Sequence, residues 1–254
     1  MRIPSDRPRV ALVTGGASGI GFAIAERLAS DGAAVAIGDV NRDAANASAD
    51  SLSANGVAAV GIEVNVTDRQ AVRAGVELVS SRIGPPTILV NSAGLDGFEP
   101  FLKISDDSLE RILAVNLTGT VRCCQEVVPH MVEAPWGRIV NISSSSAQTG
   151  NPLMTHYSAA KAGVVGFTKA LALEFGPKGI TVNTTPPGFI DTPMLRRSEA
   201  RGFLGPGVDH HEQTTPVRRV GQPDDIAAAC AFLASVEASY VTGQVIGVTG
   251  GRTT

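Results

Sequence analysis

The 254 residues, 43% hydrophobic and 18% charged, suffice for one sizeable core, since single domains run to roughly 250 residues, and they exclude an intrinsically disordered chain. Twenty-four acidic against 21 basic side chains leave a net charge of −3, which offers no broad positive field, so neither nucleic acid nor a membrane is an expected partner. Three cysteines, two of them adjacent at Cys123 and Cys124, make no disulfide framework and fit a reducing, cytoplasmic setting.

In chain order, Met1 to Arg9 is polar and proline-bearing without the apolar core of an export signal, and nowhere do about 18 apolar residues run uninterrupted, so neither export nor a membrane span is expected. A β-branched run at Val10 to Thr14 predicts a strand. Ile20 to Ser30 then reads as a helix, with Ile24, Ala25, Leu28 and Ala29 on one face. The alternation returns as strand Ala34 to Gly38 with helix Arg42 to Ala54. Next comes strand Val57 to Glu63, with a helix opened by a capping box over Thr67, Asp68, Arg69 and Gln70. Gly32, Gly56 and Gly84 mark helix ends. Strand Thr87 to Asn91, a long helix from about Asp106 to Met131, strand Arg138 to Ile142, helix Ser158 to Phe175, strand Ile180 to Thr184, helix Pro223 to Ala234 and strand Gln244 to Val248 complete the series.

Strands alternating with helices pair in parallel through right-handed crossovers. The expected fold is therefore α/β: one doubly wound sheet of seven parallel strands with helices on both faces, a single Rossmann domain over residues 1–254. Thr192 to Val220 is the one long irregular stretch, rich in glycine and proline, and is read as a substrate lid.

Between the first strand and first helix stands Thr14, Gly15, Gly16, Ala17, Ser18, Gly19, Ile20, Gly21. Its glycines would let backbone amides and a helix N-terminus approach a pyrophosphate, although the strict G-x-G-x-x-G pattern is absent, with Ile24 where its third glycine would fall. Asp39 closes the second strand 18 residues beyond Gly21, where an acidic side chain would hold ribose hydroxyls and repel a 2′-phosphate. No arginine in the turn or directly after Asp39 offsets that charge, which favours NAD over NADP. The plainer alternative is an aspartate that caps the next turn, a task open to Asn41.

Tyr157 and Lys161 lie four apart at the start of a predicted helix and so share a face. A neighbouring ammonium together with a positive nicotinamide would favour the phenolate, suiting it to proton transfer near neutrality; the ordinary alternative is a surface pair. Ser143 to Ser146 end a strand upstream, where hydroxyls could meet a carbonyl oxygen.

Taken together these residues resemble the short-chain dehydrogenase/reductase family from Val10 to Gly251, with further matches at Asn91, Ser92, Ala93 and Gly94, at Asn116, and at Pro187, Gly188 and Thr192. The resemblance implies Tyr157 as general acid/base. Ser144, 13 positions earlier, would hold the reacting oxygen; Lys161 would bind the nicotinamide ribose and lower the tyrosine pKa, and Asn116 would hold a relay water. It further implies cofactor contacts from Gly15, Ser18, Gly19, Ile20, Gly21, Asp39, Asn91, Ala93, Gly94, Pro187 and Gly188. Asn65 and Val66 would flank adenine, and Ile190 and Thr192 would meet the carboxamide. Asn65, Ser92 and Thr249 stand where the family usually has Asp, Asn and an acidic residue.

The implied enzyme is an NAD-dependent oxidoreductase joining a secondary alcohol and a ketone. The nearest branch contains 3-oxoacyl thioester reductases and hydroxyacyl coenzyme A dehydrogenases; sugars, steroids and cyclic alcohols stay open as substrates. A homotetramer is implied as well. Expected pocket walls are Ser144, Gln148, Leu153, Tyr157 and Met194, with Leu95, Leu195 and Phe203, and Asp96 near the mouth. His210 and His211, with Asp209 and Glu212, read as a solvated loop and no metal site is expected. Arg196, Arg197, Arg218 and Arg219 would greet a phosphate-bearing carrier or simply be solvated. The rival of another class is a non-catalytic NAD-binding regulator; a hydrolase is set aside, because no G-x-S-x-G elbow exists.

Overall fold

The structure, a computed structural model, describes residues 9–253. Strand β1 (Val10–Thr14) is buried along its whole length. Ala11 and Val13 enter one apolar cluster, Val10 and Leu12 the other, as period-two side chains must when a strand is covered on both faces. Strands β2 (Ala34–Asp39), β4 (Ile88–Asn91) and β5 (Gly137–Ile142) divide their side chains in the same way, and β3 (Ala59–Glu63) and β6 (Ile180–Thr185) complete the sheet. All pairings are parallel, in the order β3-β2-β1-β4-β5-β6.

Helices α1 (Gly19–Ser30), α2 (Arg42–Ser53) and α10 (Pro223–Ala234) cover one face. The other is covered by α3 (Arg69–Arg82), α5 (Gly119–Glu133) and α7 (Thr155–Phe175). The chain order runs outward from β1 in one direction and from β4 in the other, so a crevice opens between the carboxyl ends of these two strands.

Six strands rather than seven form the sheet. Residues 244–248 do run parallel beside β6, through bridges Thr184 to Val245 and Pro187 to Val248. The consecutive prolines Pro186 and Pro187 supply no N–H to that edge, so the ladder is interrupted and a full strand does not form.

Other elements also depart from expectation. Asp68, not Thr67, caps α3, accepting from the amides of Gln70 and Ala71 at 2.8 and 3.3 Å; Thr67 instead donates to Asn65. The long helix is two helices, α4 (Asp106–Leu113) and α5, joined through a π-helical turn at Ala114–Thr118. The stretch read as irregular holds α8 (Pro193–Ala200) and α9 (Val208–Thr214). Thr192 caps α8 through the Leu195 amide at 3.2 Å, and Pro193 occupies its first position. Leu204, Val208 and Val220 build a small core of their own there, against Phe98, Phe189 and Leu195. A short turn of helix, α6 (Ser146–Thr149), follows β5.

Candidate active site

The crevice deepens into a cavity of about 970 Å³, bounded by the β1–α1 turn, the segment after β4, the π turn, the end of β5, α7, and the α8–α9 region. At its floor Gly15 takes φ +63° and sits where a Cβ would lie 2.8 Å from the Ala93 Cα, so only glycine lets the two strand ends meet. A Cβ on Gly19, at φ +52°, would project toward Thr192 across the cavity. Ser18 precedes α1 without a side-chain capping bond, leaving its hydroxyl and the first-turn amides to face the cavity. A bare helix N-terminus beside a side-chain-free gap fits a diphosphate.

Asp39 lines the same cavity. Its carboxylate accepts from the amides of Ala17 at 3.3 Å and Asn41 at 3.0 Å, which fixes it next to the glycine turn, while Asn41 caps α2 through the Ala44 amide. Capping is thus Asn41's work, leaving Asp39 exposed to the cavity. Asn65 and Val66 also line it, the Asn65 Oδ1 being engaged by the Thr67 amide and hydroxyl at 3.0 and 2.8 Å.

Asn116 sits in the π turn and is fully buried. Its amide nitrogen donates to the carbonyls of Leu95 and Ile112 at 3.0 and 3.1 Å, and its oxygen accepts from the Leu95 amide at 3.3 Å. The extra residue of a π turn rotates this side chain off the α-helical track, toward the segment after β4. Gly94 allows the approach, because a Cβ there would meet Asn116 Oδ1 at 2.9 Å and Lys161 Nζ at 3.5 Å.

Helix α7 presents Tyr157 and Lys161 one turn apart. Lys161 donates from Nζ to the Ile142 carbonyl at 2.9 Å and lies 5.9 Å from the centre of the Tyr157 ring. Burial pushes the lysine pKa down to about 8. Burial also pushes the tyrosine up to about 12, with Ser144 acting in the opposite direction and the Asp96 carboxylate adding to the rise. Burial thus dominates both groups in the chain alone, without the positive nicotinamide that the expectation for Tyr157 included.

Of the four serines, Ser144 and Ser146 are coupled. Ser144 Oγ accepts from the Ser146 hydroxyl at 2.9 Å and amide at 3.2 Å, so its own proton stays available. Ser143 donates to the Lys161 carbonyl at 2.8 Å and braces α7. Pro187 and Gly188 are held by the chain's last segment. The Gly188 amide donates to Val248 at 3.0 Å, and a Cβ on Gly188 would lie 2.9 Å from the Thr249 Cα.

Most residues singled out from the sequence line this one cavity: Gly15, Ser18, Gly19, Ile20, Gly21, Asp39, Asn65, Val66, Ala93, Gly94, Asn116, Ser144, Tyr157, Lys161, Pro187, Gly188, Ile190, Thr192 and Met194. Three do not. Asn91 is buried behind the cavity, donating to Asn141 Oδ1 at 2.8 Å and to Cys124. Gln148 faces solvent on α6, and Leu153 is turned outward at φ +66°. Their places on the wall are taken by Thr149, Gly150, Asn151 and Met154.

Sequence reasoning also missed His211 and Arg252, which line the cavity from α9 and the C-terminal segment. His211 stacks on Phe189 at 3.8 Å, and the Arg252 guanidinium lies 4.7 Å from the centre of the same ring. The signal lay in Phe189, inside the Pro187 to Thr192 segment, whose aromatic face needs a partner. Asp96 accepts from the Ser198 hydroxyl of α8 at 2.7 Å, and Phe98 stacks on Phe203 at 5.0 Å. His156 is buried, with its Nε2 against Gly97, and does not reach the cavity.

A glycine-turn diphosphate site beside a serine, tyrosine and lysine is the layout of a nicotinamide-dependent oxidoreductase. A family model described as Enoyl-(Acyl carrier protein) reductase matches residues 15–253, and the chain belongs to the short-chain dehydrogenase/reductase family. Among its relatives is the (2S)-[(R)-hydroxy(phenyl)methyl]succinyl-CoA dehydrogenase subunit BbsD of Thauera aromatica, 43% identical, with 96% of each chain covered. The 3-oxoacyl-[acyl-carrier-protein] reductase FabG of Aquifex aeolicus is 40% identical, again with 96% of each chain covered. A crystal structure of a variant actinorhodin polyketide ketoreductase with NADPH superposes with a TM-score of 0.92 at 36% identity, covering 96% of this chain and 97% of that one. The protein is accordingly an oxidoreductase acting between CH–OH and keto groups with a nicotinamide cofactor.

Proposed function

We propose that the protein interconverts a 3-oxoacyl thioester and its 3-hydroxyacyl counterpart, with NAD(H) as the preferred cofactor. The observation that carries the reaction is the convergence of Ser144, Tyr157, Lys161 and Asn116 on one cavity that the glycine turn also borders. The thioester is supported by the reductase and dehydrogenase relatives, which are named for acyl-carrier-protein and coenzyme A derivatives. NAD is supported by Asp39, fixed by two backbone amides beside the turn where a 2′-phosphate would meet its charge.

The chemistry supplied by a bound nicotinamide is hydride transfer. This chain's residues do the rest. Ser144, its oxygen already occupied by two donors, gives its own proton to the reacting oxygen and fixes its position. Tyr157, held protonated by burial, donates its proton to that oxygen during reduction. Lys161, anchored on the Ile142 carbonyl, brings a positive charge that offsets the phenolate left behind, and would also hold a ribose hydroxyl. Asn116 holds the Leu95 backbone open beside Lys161 and would support a water between that lysine and solvent. Residues 192–220 form the substrate side of the single domain, with Met194, Leu195 and Phe203 as apolar walls.

Tyr157→Phe tests the assignment. NADH affinity, read by fluorescence titration, should survive, while turnover on a 3-oxoacyl thioester should fall on the order of a hundredfold or more. Turnover unchanged in this variant would remove Tyr157 from the proton step; a natural protein that binds NADH and reduces no ketone would favour a regulator instead.

A further inference from the structure

The cavity is bordered by charges of both signs. Asp96 faces Tyr157 closely enough for its carboxylate to raise the tyrosine pKa. Across the α8–α9 region lie Arg197, Arg252 and His211, and all three border the cavity. Among the described residues no carboxylate pairs with Arg197 or Arg252 within 4.0 Å, although Arg196 and Arg219 are both paired. Of these two arginines, Arg252 is the one held by side-chain hydrogen bonds among the described residues. Its Nη1 donates to the Thr214 hydroxyl at 3.0 Å and to the His211 carbonyl and Thr215 hydroxyl at 3.3 and 3.4 Å, and its plane is supported by Phe189. Those bonds use one nitrogen, leaving Nη2 and Nε without a protein acceptor among the described residues.

Beside Arg252, His211 Nδ1 and Thr253 Oγ1 are buried and have no partner among the described residues. His211 Nε2 donates to the Leu204 carbonyl at 3.2 Å. A partly buried, positioned guanidinium with unused donors is a receptor for a planar oxyanion. Phe98, Phe189, Leu195 and Phe203 give the same cavity apolar lining.

We propose that the acyl part of the substrate bears a carboxylate, received by Arg252 beside Phe189, and that Asp96, bonded to Ser198 and close to Tyr157, repels this carboxylate from the Tyr157 end. The reacting carbonyl is thereby set at Tyr157 and the anion at Arg252, so the charge asymmetry fixes which way round the substrate lies. This rests on the reading of the cavity as an acyl thioester site. Arg252 is the specificity-determining residue, and its effect falls on one class of substrate only.

The phosphates of a coenzyme A carrier are the other source of an anion, and the experiment separates them by using carriers without charge. N-acetylcysteamine thioesters of two 3-oxo acids of equal length, one ending in a methyl group and one in a carboxylate, are titrated calorimetrically into the protein saturated with oxidised cofactor, a mixture that cannot turn over. The carboxylate thioester should bind on the order of tenfold more tightly or better. Arg252→Met should erase that advantage and leave the methyl-ended thioester unchanged, and Arg252→Lys, which keeps the charge and loses the fork, should retain part of it.

Equal affinity for the two thioesters, no measurable binding of the carboxylate form, or equal weakening of both by Arg252→Met would overturn the proposal; the last result would make Arg252 only a brace for α9. Displacement of the carboxylate thioester by free coenzyme A through Arg252 would assign that residue to the carrier and overturn it too. Intact, Arg252-dependent binding with no turnover under reduced cofactor would uphold this inference and count against the reaction instead.

Discussion

Lys161 and Tyr157 are both driven by burial toward their neutral forms, and this sets the pH behaviour of the proton step. The lysine's folded-state pKa is lowered to about 8, so its positive charge is present below that pH and is lost as pH rises through it. Tyr157, pushed up to about 12, keeps its proton across the same range and contributes no alkaline limb of its own there. For ketone reduction, kcat/KM for the cofactor should therefore hold level below about pH 8 and decline above it. Lys161→Arg, whose charge persists, should carry that limb upward in a stopped-flow or steady-state pH profile; a limb that stays in place would assign it to another group. Asp39 gives the second expectation at this scale. Asp39→Ser removes the repulsion toward a 2′-phosphate, so the NAD-to-NADP ratio of kcat/KM should narrow, and equal use of both cofactors by the natural protein would refute the preference. Residue types at fixed spacing, such as Tyr157 with Lys161 and the glycine turn, were legible in the sequence because each is a local statement. Gln148 and Leu153 misled, since which side of a one-turn helix or a left-handed residue faces a cavity is decided by packing. Arg252 and His211 were hidden for the opposite reason: they reach the cavity only after α9 and the C-terminal segment have folded over Phe189.

Among the elements, the turn at Ala114–Thr118 does most to shape the site. An uninterrupted α-helix from Asp106 to Glu133 would satisfy the same apolar periodicity, which is why the pattern predicts one helix and conceals the bulge. The π geometry is held locally by Thr118, whose hydroxyl donates to the Leu113 and Ala114 carbonyls at 3.2 and 3.0 Å, and from outside by Asn116 bound to Leu95. Asn116→Ala would strand the Leu95 amide and carbonyl, a loss of about 2 kcal/mol at the usual cost of partly buried unpaired groups. Urea unfolding should report that loss, together with a fall in turnover larger than the fall in cofactor affinity. A variant as stable and active as the natural protein would mean that the π turn needs no support from the segment after β4. The same limit on periodicity accounts for α8 and α9: each spans at most eight residues, too few for an apolar stripe to stand out among Gly202, Gly205, Gly207 and Pro206. Helices such as α1 and α10, twelve residues each and apolar on the face toward the sheet, were readable to within one residue at each end.

At the scale of the whole molecule, the sheet's two covered faces leave some apolar side chains outside either cluster. Leu173 is 82% exposed near the end of α7, and Tyr240, Phe232 and Val236 are exposed around the end of α10 and the loop that follows. Gly166, on the same helix as Leu173, has open space where a Cβ would stand, so another backbone can come close. Solvent-facing leucine on a helix that also packs inward through Val164, Phe167 and Leu171 is the pattern of an element shared between two cores. An isologous pairing of α7 together with a second surface near the C-terminal segment would generate a tetramer rather than a dimer, and that is the assembly expected. Sedimentation velocity at micromolar concentration should show a species of four chains. Leu173→Glu, which sets like charges against each other across a symmetric helix pair, should shift it toward smaller species without disturbing the buried face of α7. A natural protein that sediments as one chain would instead leave Leu173 and Tyr240 as unconnected exposed side chains.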